Sequence, residues 1–134
     1  MAVPWAKIQH FVPAEFDYPD LLDERLVLTL DVMRKRESGI IFTINSDYRP
    51  GDPRWHGKGK AVDGVMRDAK THSPLPIYRQ FVIANRYMFT GIGIYPYWTS
   101  PGVHLDVRPM SLYGRKSFWW KDRNGVYRKI EDFF

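Results

Sequence analysis

Between Asp20 and Ser38 the apolar residues Leu22, Leu26, Leu30 and Met33 recur three or four positions apart, with charged residues between them. That period predicts a helix from about Asp20 to Ser38 with one buried stripe. Asp20, after Pro19, is the expected N-cap, and Gly39 supplies the left-handed residue past the end. The period then changes. Ile40 to Ile44 is a short, apolar, β-branched run and predicts a strand, as does Ala61 to Met66, where Ala61, Asp63 and Val65 share a face. Residues 67–72 are polar and read as loop. Ser73 and Pro74 are the expected cap and first turn of a second helix running to about Tyr87, burying Ile77, Phe81, Ala84 and Met88. Ile92–Tyr95 and Val103–Val107 follow as strands, the second with His104 and Asp106 on one face and Val103, Leu105 and Val107 on the other. Phe118–Lys121 and Val126–Ile130, around Asn124-Gly125, predict a β-hairpin.

These elements define an α+β fold: a small antiparallel sheet flanked by two main helices, with a C-terminal hairpin. No repeat or low-complexity linker divides the 134 residues, so one domain is expected over 1–134. Within it, residues 1–18 form an irregular arm whose aromatics pack on the domain, and residues 115–134 an additional tail.

Composition narrows the classes. Hydrophobic residues make up 44% and aromatics 16%, enough for a real core. With 0 cysteines there is no disulfide framework and no thiolate for a closed structural zinc site. No apolar run reaches the roughly 18 residues that span a bilayer, and the opening MAVPWAKIQHFVP has neither a basic leader nor an apolar core, so no signal peptide is expected. The net charge of +5 is scattered. Its single run, Arg34-Lys35-Arg36, sits where a helix C-terminus favours cations, so nucleic acid is not an expected partner.

The candidate chemistry lies in SDYRPGDPRWHGKGKAVD, residues 46–63, and in GVHLDV, residues 102–107. His56, Asp63 and His104 are two imidazoles and a carboxylate, a usual ligand set for catalytic zinc with a position left open. Asp63, on an otherwise apolar strand face, needs a cation or a hydrogen-bond cluster. Arg49 can bind a carboxylate through both arms of its guanidinium or polarise a carbonyl. Asp106, beside His104, is either a general base or the group that orients the histidine ring. His10 and His72 have no such company and read as surface residues. An iron oxygenase site would place a further histidine downstream of His104-Leu105-Asp106, and His104 is the last in the chain.

The S-x-Y-R turn, H-x-x-G-x-A-x-D and GIGIYP…GVHLDV, in this order, resemble the zinc D-Ala-D-Ala carboxypeptidase family of the hedgehog/D,D-peptidase superfamily. The resemblance runs from about His10 to Arg108, and HFVPAEFDYPD is similar to the opening of phage-encoded members. It implies a zinc metallopeptidase that cuts amide bonds in peptidoglycan stem peptides or cross-links, of carboxypeptidase or endolysin type. The implied metal ligands are His56, Asp63 and His104. Arg49 and Asp106 would act in catalysis, with Ser46, Tyr48 and Arg49 contacting substrate. A monomer is expected, made in the cytoplasm and reaching the cell wall after release or in a phage particle. The chain departs from the pattern at Asp47, at Arg54 and at Pro101, where relatives place an acid three residues before the last histidine. A non-catalytic cell-wall or protein-binding module on the same fold is the alternative.

Overall fold

A computed structural model of the chain describes residues 2–111 and 114–134, so the first residue of the expected arm lies outside it. The arm runs through two single helical turns, Trp5–Lys7 and Pro13–Glu15, and buries Val3, Phe11 and Phe16; a third turn, Pro19–Leu21, and the buried Leu22 lead on to the first helix. Helix α1 spans Glu24–Arg36 and starts later than its sequence predicts. Asp23, not Asp20, is the cap, its carboxylate accepting from the Arg25 N–H at 2.8 Å. The reason is tertiary. The Asp23 N–H donates to the Gly59 carbonyl at 2.8 Å, and Lys60 Nζ reaches the Asp23 carboxylate at 2.7 Å. Pro19–Leu21 is left as a separate turn. Beyond α1, Gly39 takes φ +82°.

Six strands form one sheet: β1 (Ile40–Ser46), β2 (Ala61–Asp68), β3 (Gly91–Tyr95), β4 (Gly102–Asp106), β5 (Ser117–Lys121) and β6 (Tyr127–Lys129), in spatial order β1-β2-β4-β3-β5-β6. β2 is longer than its apolar run because Arg67 and Asp68 still pair with Ile41 and Ile40. All neighbours are antiparallel except β3 and β5. β4 ends beside Gly91, and the Ser117 N–H bonds the Thr90 carbonyl at the same end of the sheet. β5 therefore starts where β3 starts and must run parallel to it.

Helix α2 spans Ile77–Asn85 and also starts late, without a side-chain cap. Ser73 to Pro76 stays outside the helix because the end of β2 recruits it. The Asp68 N–H bonds the Ser73 carbonyl, the Leu75 N–H bonds the Met66 carbonyl, and Pro74 bridges Arg67. Met88, expected in the stripe, is 78% exposed, and Tyr87 and Phe89 are buried in its place. Gln80 is fully buried with three partners: it accepts from the Met66 N–H and donates to the carbonyls of Leu75 and Pro101.

The sheet has two unlike faces. Val62, Met66, Ile92, Ile94, Val103 and Leu105 meet Leu26, Leu30, Met33, Ile83 and Ala84 of the helices in one core. The opposite face carries the directly paired row Asp63, His104, Gly93 and Trp119. Across β1 the register slips between Ile44 and Ser46, which brings Ser46 opposite Asp63. Such a bulge re-aims a side chain by one position.

Candidate metal centre

His56 is buried in a single helical turn, His56–Lys58, between β1 and β2. Tight backbone packing fixes that turn. A Cβ on Gly57 would lie 1.7 Å from the Asp52 carbonyl oxygen, and Gly59 has φ +69° against Leu21. Asp63 and His104 come from adjacent positions of β2 and β4. Together His56, Asp63 and His104 offer ligand atoms that all lie within 4.8 Å of one another, a buried group that can hold a metal ion.

The outward ring nitrogens already have partners. His56 Nδ1 donates to the Asp47 carbonyl at 2.8 Å, which leaves Nε2 facing Asp63 Oδ1 at 3.2 Å. His104 Nε2 donates to Asp106 Oδ2 at 2.7 Å, which leaves Nδ1 facing the same Asp63 oxygen at 3.0 Å. A ring nitrogen held as a donor on one side presents a lone pair on the other, the arrangement that metal-binding histidines use. The donor set thus fits a divalent ion with a taste for nitrogen and oxygen.

Charge binds the group together. Burial alone would raise the Asp63 carboxyl, but the hydrogen bonds and charge of His104 and His56 hold it far below the usual carboxylate range. Burial would likewise lower His104, and Asp106 and Asp63 outweigh it, so its pKa is raised. Asp106 is 0% exposed. Against the upward push of burial, His104 and Arg108 hold its carboxyl down to about 2. Arg108 donates to it through Nε at 2.9 Å, Nη2 at 2.6 Å and the backbone N–H at 3.1 Å. The Arg108 guanidinium in turn lies over the rings of Trp55 and Trp119, 5.6 and 4.9 Å from their centroids.

Two glycines make room for this layer. A Cβ on Gly91 would fall 2.3–2.5 Å from the Asp106 carboxylate, and one on Gly93 would fall 2.3 Å from Trp119 Nε1. Trp119 Nε1 donates to the Tyr95 hydroxyl at 3.1 Å, and Tyr95 stacks on Trp98 at 4.3 Å.

Arg49 reaches the rim. Its Nη2 lies 3.4 Å from Asp63 Oδ2 and 3.1 Å from Ser46 Oγ, and its Nη1 lies 3.1 Å from Asp52. Tyr48 is not brought to the site; its ring packs edge-on against Tyr18 at 5.4 Å, on the arm side. Asp47 is also turned away and is 1% exposed. Its carboxylate accepts from the N–H groups of Asp17, Tyr18 and Tyr48 and pins the arm. Pro101 presents only its carbonyl, to Gln80. The His10 and Arg34 contacts serve the arm, and His72 is exposed at φ 61° in a turn.

The ligand atoms form the floor of a cleft of about 710 Å³, lined also by Arg49, Asp52, Arg54, Trp55, Tyr95, Trp98, Arg108, Trp119, Lys121 and Tyr127. Much of this wall escaped the sequence reading. Arg108 continues the two-residue alternation of His104 and Asp106, and that signal could have found it. Trp119, Lys121 and Tyr127 had none, because they reach the site only through the parallel pairing of β5 with β3.

The class defined by fold and site is an α+β domain whose open sheet face carries two histidines and an aspartate that could hold a metal ion. Comparison with protein-family models, with curated proteins and with solved structures gave no match.

Proposed function

We propose that this chain is a zinc-dependent peptidase that hydrolyses amide bonds in bacterial peptidoglycan stem peptides or cross-links. The observation that carries the reading is the convergence of His56 Nε2, Asp63 Oδ1 and His104 Nδ1 on the floor of an open cleft. The motif order S-x-Y-R, H-x-x-G-x-A-x-D and H-L-D, which resembles the zinc D-Ala-D-Ala carboxypeptidases, supplies the substrate class. Zinc suits two imidazoles and a carboxylate, and when bound it supplies Lewis-acid polarisation of an amide carbonyl and acidifies water.

The chain's own groups divide the remaining work. Arg49, 47% exposed at its side chain, holds a guanidinium at the rim for a substrate carbonyl or carboxylate, and Ser46 steadies it. Asp106 has both oxygens committed to His104 and Arg108, so we assign it the orienting role and not proton transfer. Asp52 is the cleft carboxylate outside the ligand group. Its oxygens are engaged too, by the Arg54 N–H at 2.7 Å and Arg49 Nη1 at 3.1 Å. Unlike Asp106 it is not fully buried, and the proton-accepting role is assigned to it on that ground. The Arg54 N–H and Arg49 hold its carboxyl below the usual range, making it a weak base. That weakness, with Pro101 in place of an acid, favours one second reading: a zinc-containing cell-wall binding module that turns nothing over.

Digestion of purified peptidoglycan with mass spectrometry of the released muropeptides tests the choice. Zinc-dependent new fragments, absent for a His56→Ala, His104→Ala variant that no longer holds zinc, are expected. One zinc per chain with peptidoglycan retention and no fragments selects the binding module. Full zinc content in the double variant would refute the centre itself.

A further inference from the structure

A second hollow, of about 420 Å³, opens beside the candidate metal centre. It shares Asp63 and Trp98 with the main cleft and is otherwise lined by Asn45, Ser46, Arg67, Thr99 and Ser100. Its size falls within the range of about 300–1,000 Å³ that small-molecule sites occupy. Asp63 and Arg67 are four residues apart on one face of β2, roughly 13 Å at the rise of a strand. The hollow therefore runs away from the ligand atoms and leaves them free for another part of the same bound molecule.

Its chemistry is narrow. No aliphatic side chain lines it, so an apolar peptide side chain would find nothing to bury against. Arg67 is its single cation, and that guanidinium is held by two neutral acceptors, Thr43 Oγ1 at 3.2 Å and the His72 carbonyl at 3.0 Å. The side chains of Asn45, Trp98, Thr99 and Ser100 form no hydrogen bond to the protein among the described residues, which leaves an amide, an indole N–H and two hydroxyls available around one space. The aromatic wall is flat and fixed. Trp98 stacks on Tyr95 with ring centroids 4.3 Å apart and 13° between the planes, and Trp119 Nε1 holds the Tyr95 hydroxyl at 3.1 Å. The other face of Trp98 meets no ring or cation among the described residues. A fixed indole face flanked by an amide, hydroxyls, a guanidinium and a carboxylate is the complement of a pyranose ring. The negative face of the aromatic attracts the polarised C–H groups of the sugar, and sugar hydroxyls, each both donor and acceptor, need partners of both kinds.

We propose that this hollow is a saccharide subsite that takes one N-acetylated amino sugar, with the C–H face of the ring on Trp98 and the acetamido group on the Asn45 amide. Two amides pair well because each offers a donor and an acceptor. The proposal rests on the peptidoglycan reading, whose glycan strands are built of such sugars, and adds to it a second point of attachment beside the cleft.

Calorimetric titration of the zinc-loaded protein with triacetylchitotriose, a trimer of N-acetylglucosamine, and with cellotriose, which lacks the acetamido groups, is the test. The acetylated trimer is expected to bind, and cellotriose to bind about fivefold more weakly, the scale of one hydrogen bond. Trp98→Ala should weaken the acetylated trimer about tenfold, the scale of one stacked contact, and Trp98→Phe should recover part of that loss. Asn45→Ala, at an exposed side chain without a protein partner, should keep its Tm and bind the two trimers alike. No binding of either trimer, or equal affinity in wild type and Trp98→Ala, would overturn the subsite. Equal affinity of the two trimers for the wild type would overturn the acetamido assignment, and selectivity that survives Asn45→Ala would overturn the role of Asn45. The two readings fail separately: zinc-dependent muropeptide release without trimer binding sinks the subsite and leaves the peptidase, whereas trimer binding lost in Trp98→Ala, with no release, supports the subsite and selects the binding module.

Discussion

Asp106→Asn is the substitution in which orientation and proton transfer part company. The asparagine keeps the shape of the side chain but offers one acceptor where the carboxylate offered two. In the wild type those oxygens receive His104 Nε2 at 2.7 Å, Arg108 Nε at 2.9 Å and Arg108 Nη2 at 2.6 Å. The new NH2 must therefore face either the imidazole N–H or the guanidinium, donor against donor. Arg108 is left with its cation over two indoles and no counter-charge. Breaking a buried pair on one side costs about 3–5 kcal/mol, and the partial exposure of Arg108 brings the expectation to about 3 kcal/mol. For a chain of this length roughly 3–4 °C accompanies each kcal/mol, so Tm should fall by about 10 °C. Zinc affinity should drop about 10- to 100-fold, equivalent to about 1.4–2.8 kcal/mol. Calorimetry and chelator competition read the two quantities, and added zinc should restore whatever activity the wild type has. Unchanged Tm and unchanged zinc affinity, with turnover down about a hundredfold, would show Asp106 to be the base after all.

Three further outcomes follow from the same geometry. Gly91→Ala puts a methyl within 2.5 Å of a carboxylate that has nowhere to go, so thermal denaturation should register a loss of about 2–3 kcal/mol together with weaker zinc binding. Asp47→Ala should cost about 2–4 kcal/mol through the stranded N–H groups of the arm and speed hydrogen exchange at Asp17 and Tyr18. Zinc content should stay the same, because the backbone carbonyl of Asp47 is what holds His56. The pH dependence of the metal-free protein is set by opposed shifts. Asp63, lowered, stabilises above about pH 4 and loses this as pH falls towards its folded value; His104, raised, stabilises below about pH 6.5 and loses this as pH rises through its folded value. Metal-free Tm should therefore peak between these limits and decline as pH rises through the folded-state value of His104, while zinc-loaded protein gains stability there as its ligands lose protons. Parallel melting curves with chelator and with zinc check the crossing.

The strands and their faces were legible in the sequence because alternation is local: His104 and Asp106 share a face whatever pairs with them. The donor set was legible partly through residue type and mostly through a motif order that resembles the zinc D-Ala-D-Ala carboxypeptidases. Both helix starts were misplaced, because Asp20 and Ser73 carry the right local chemistry and lose to distant partners. Gly59 and Lys60 claim Asp23 for the first helix, and the end of β2 draws Ser73 to Leu75 into pairing. Tyr48 and Asp47 sit in the motif yet serve the arm, since the bulge after Ile44 decides which way each residue of the turn points. The two glycines of GIGIY meant nothing until Asp106 and Trp119 were seen lying over them. A non-sequential neighbour leaves no local trace.

The parallel seat of β5 beside β3 has a consequence for how the chain behaves in solution. All five residues of β3 are buried, and before residues 117–121 dock, one whole side of that strand offers unsatisfied N–H and C=O groups. An apolar, unprotected edge of this kind is a template for strand addition by another molecule. Once the hairpin is home, the outermost strand on that side is Tyr127-Arg128-Lys129, three exposed residues of which two carry charge. Short, charged borders resist self-association. The same hairpin that walls the cleft is thus the protein's guard against aggregation, and the interval between the emergence of β3 and the docking of β5 during synthesis is when the chain is most exposed to it.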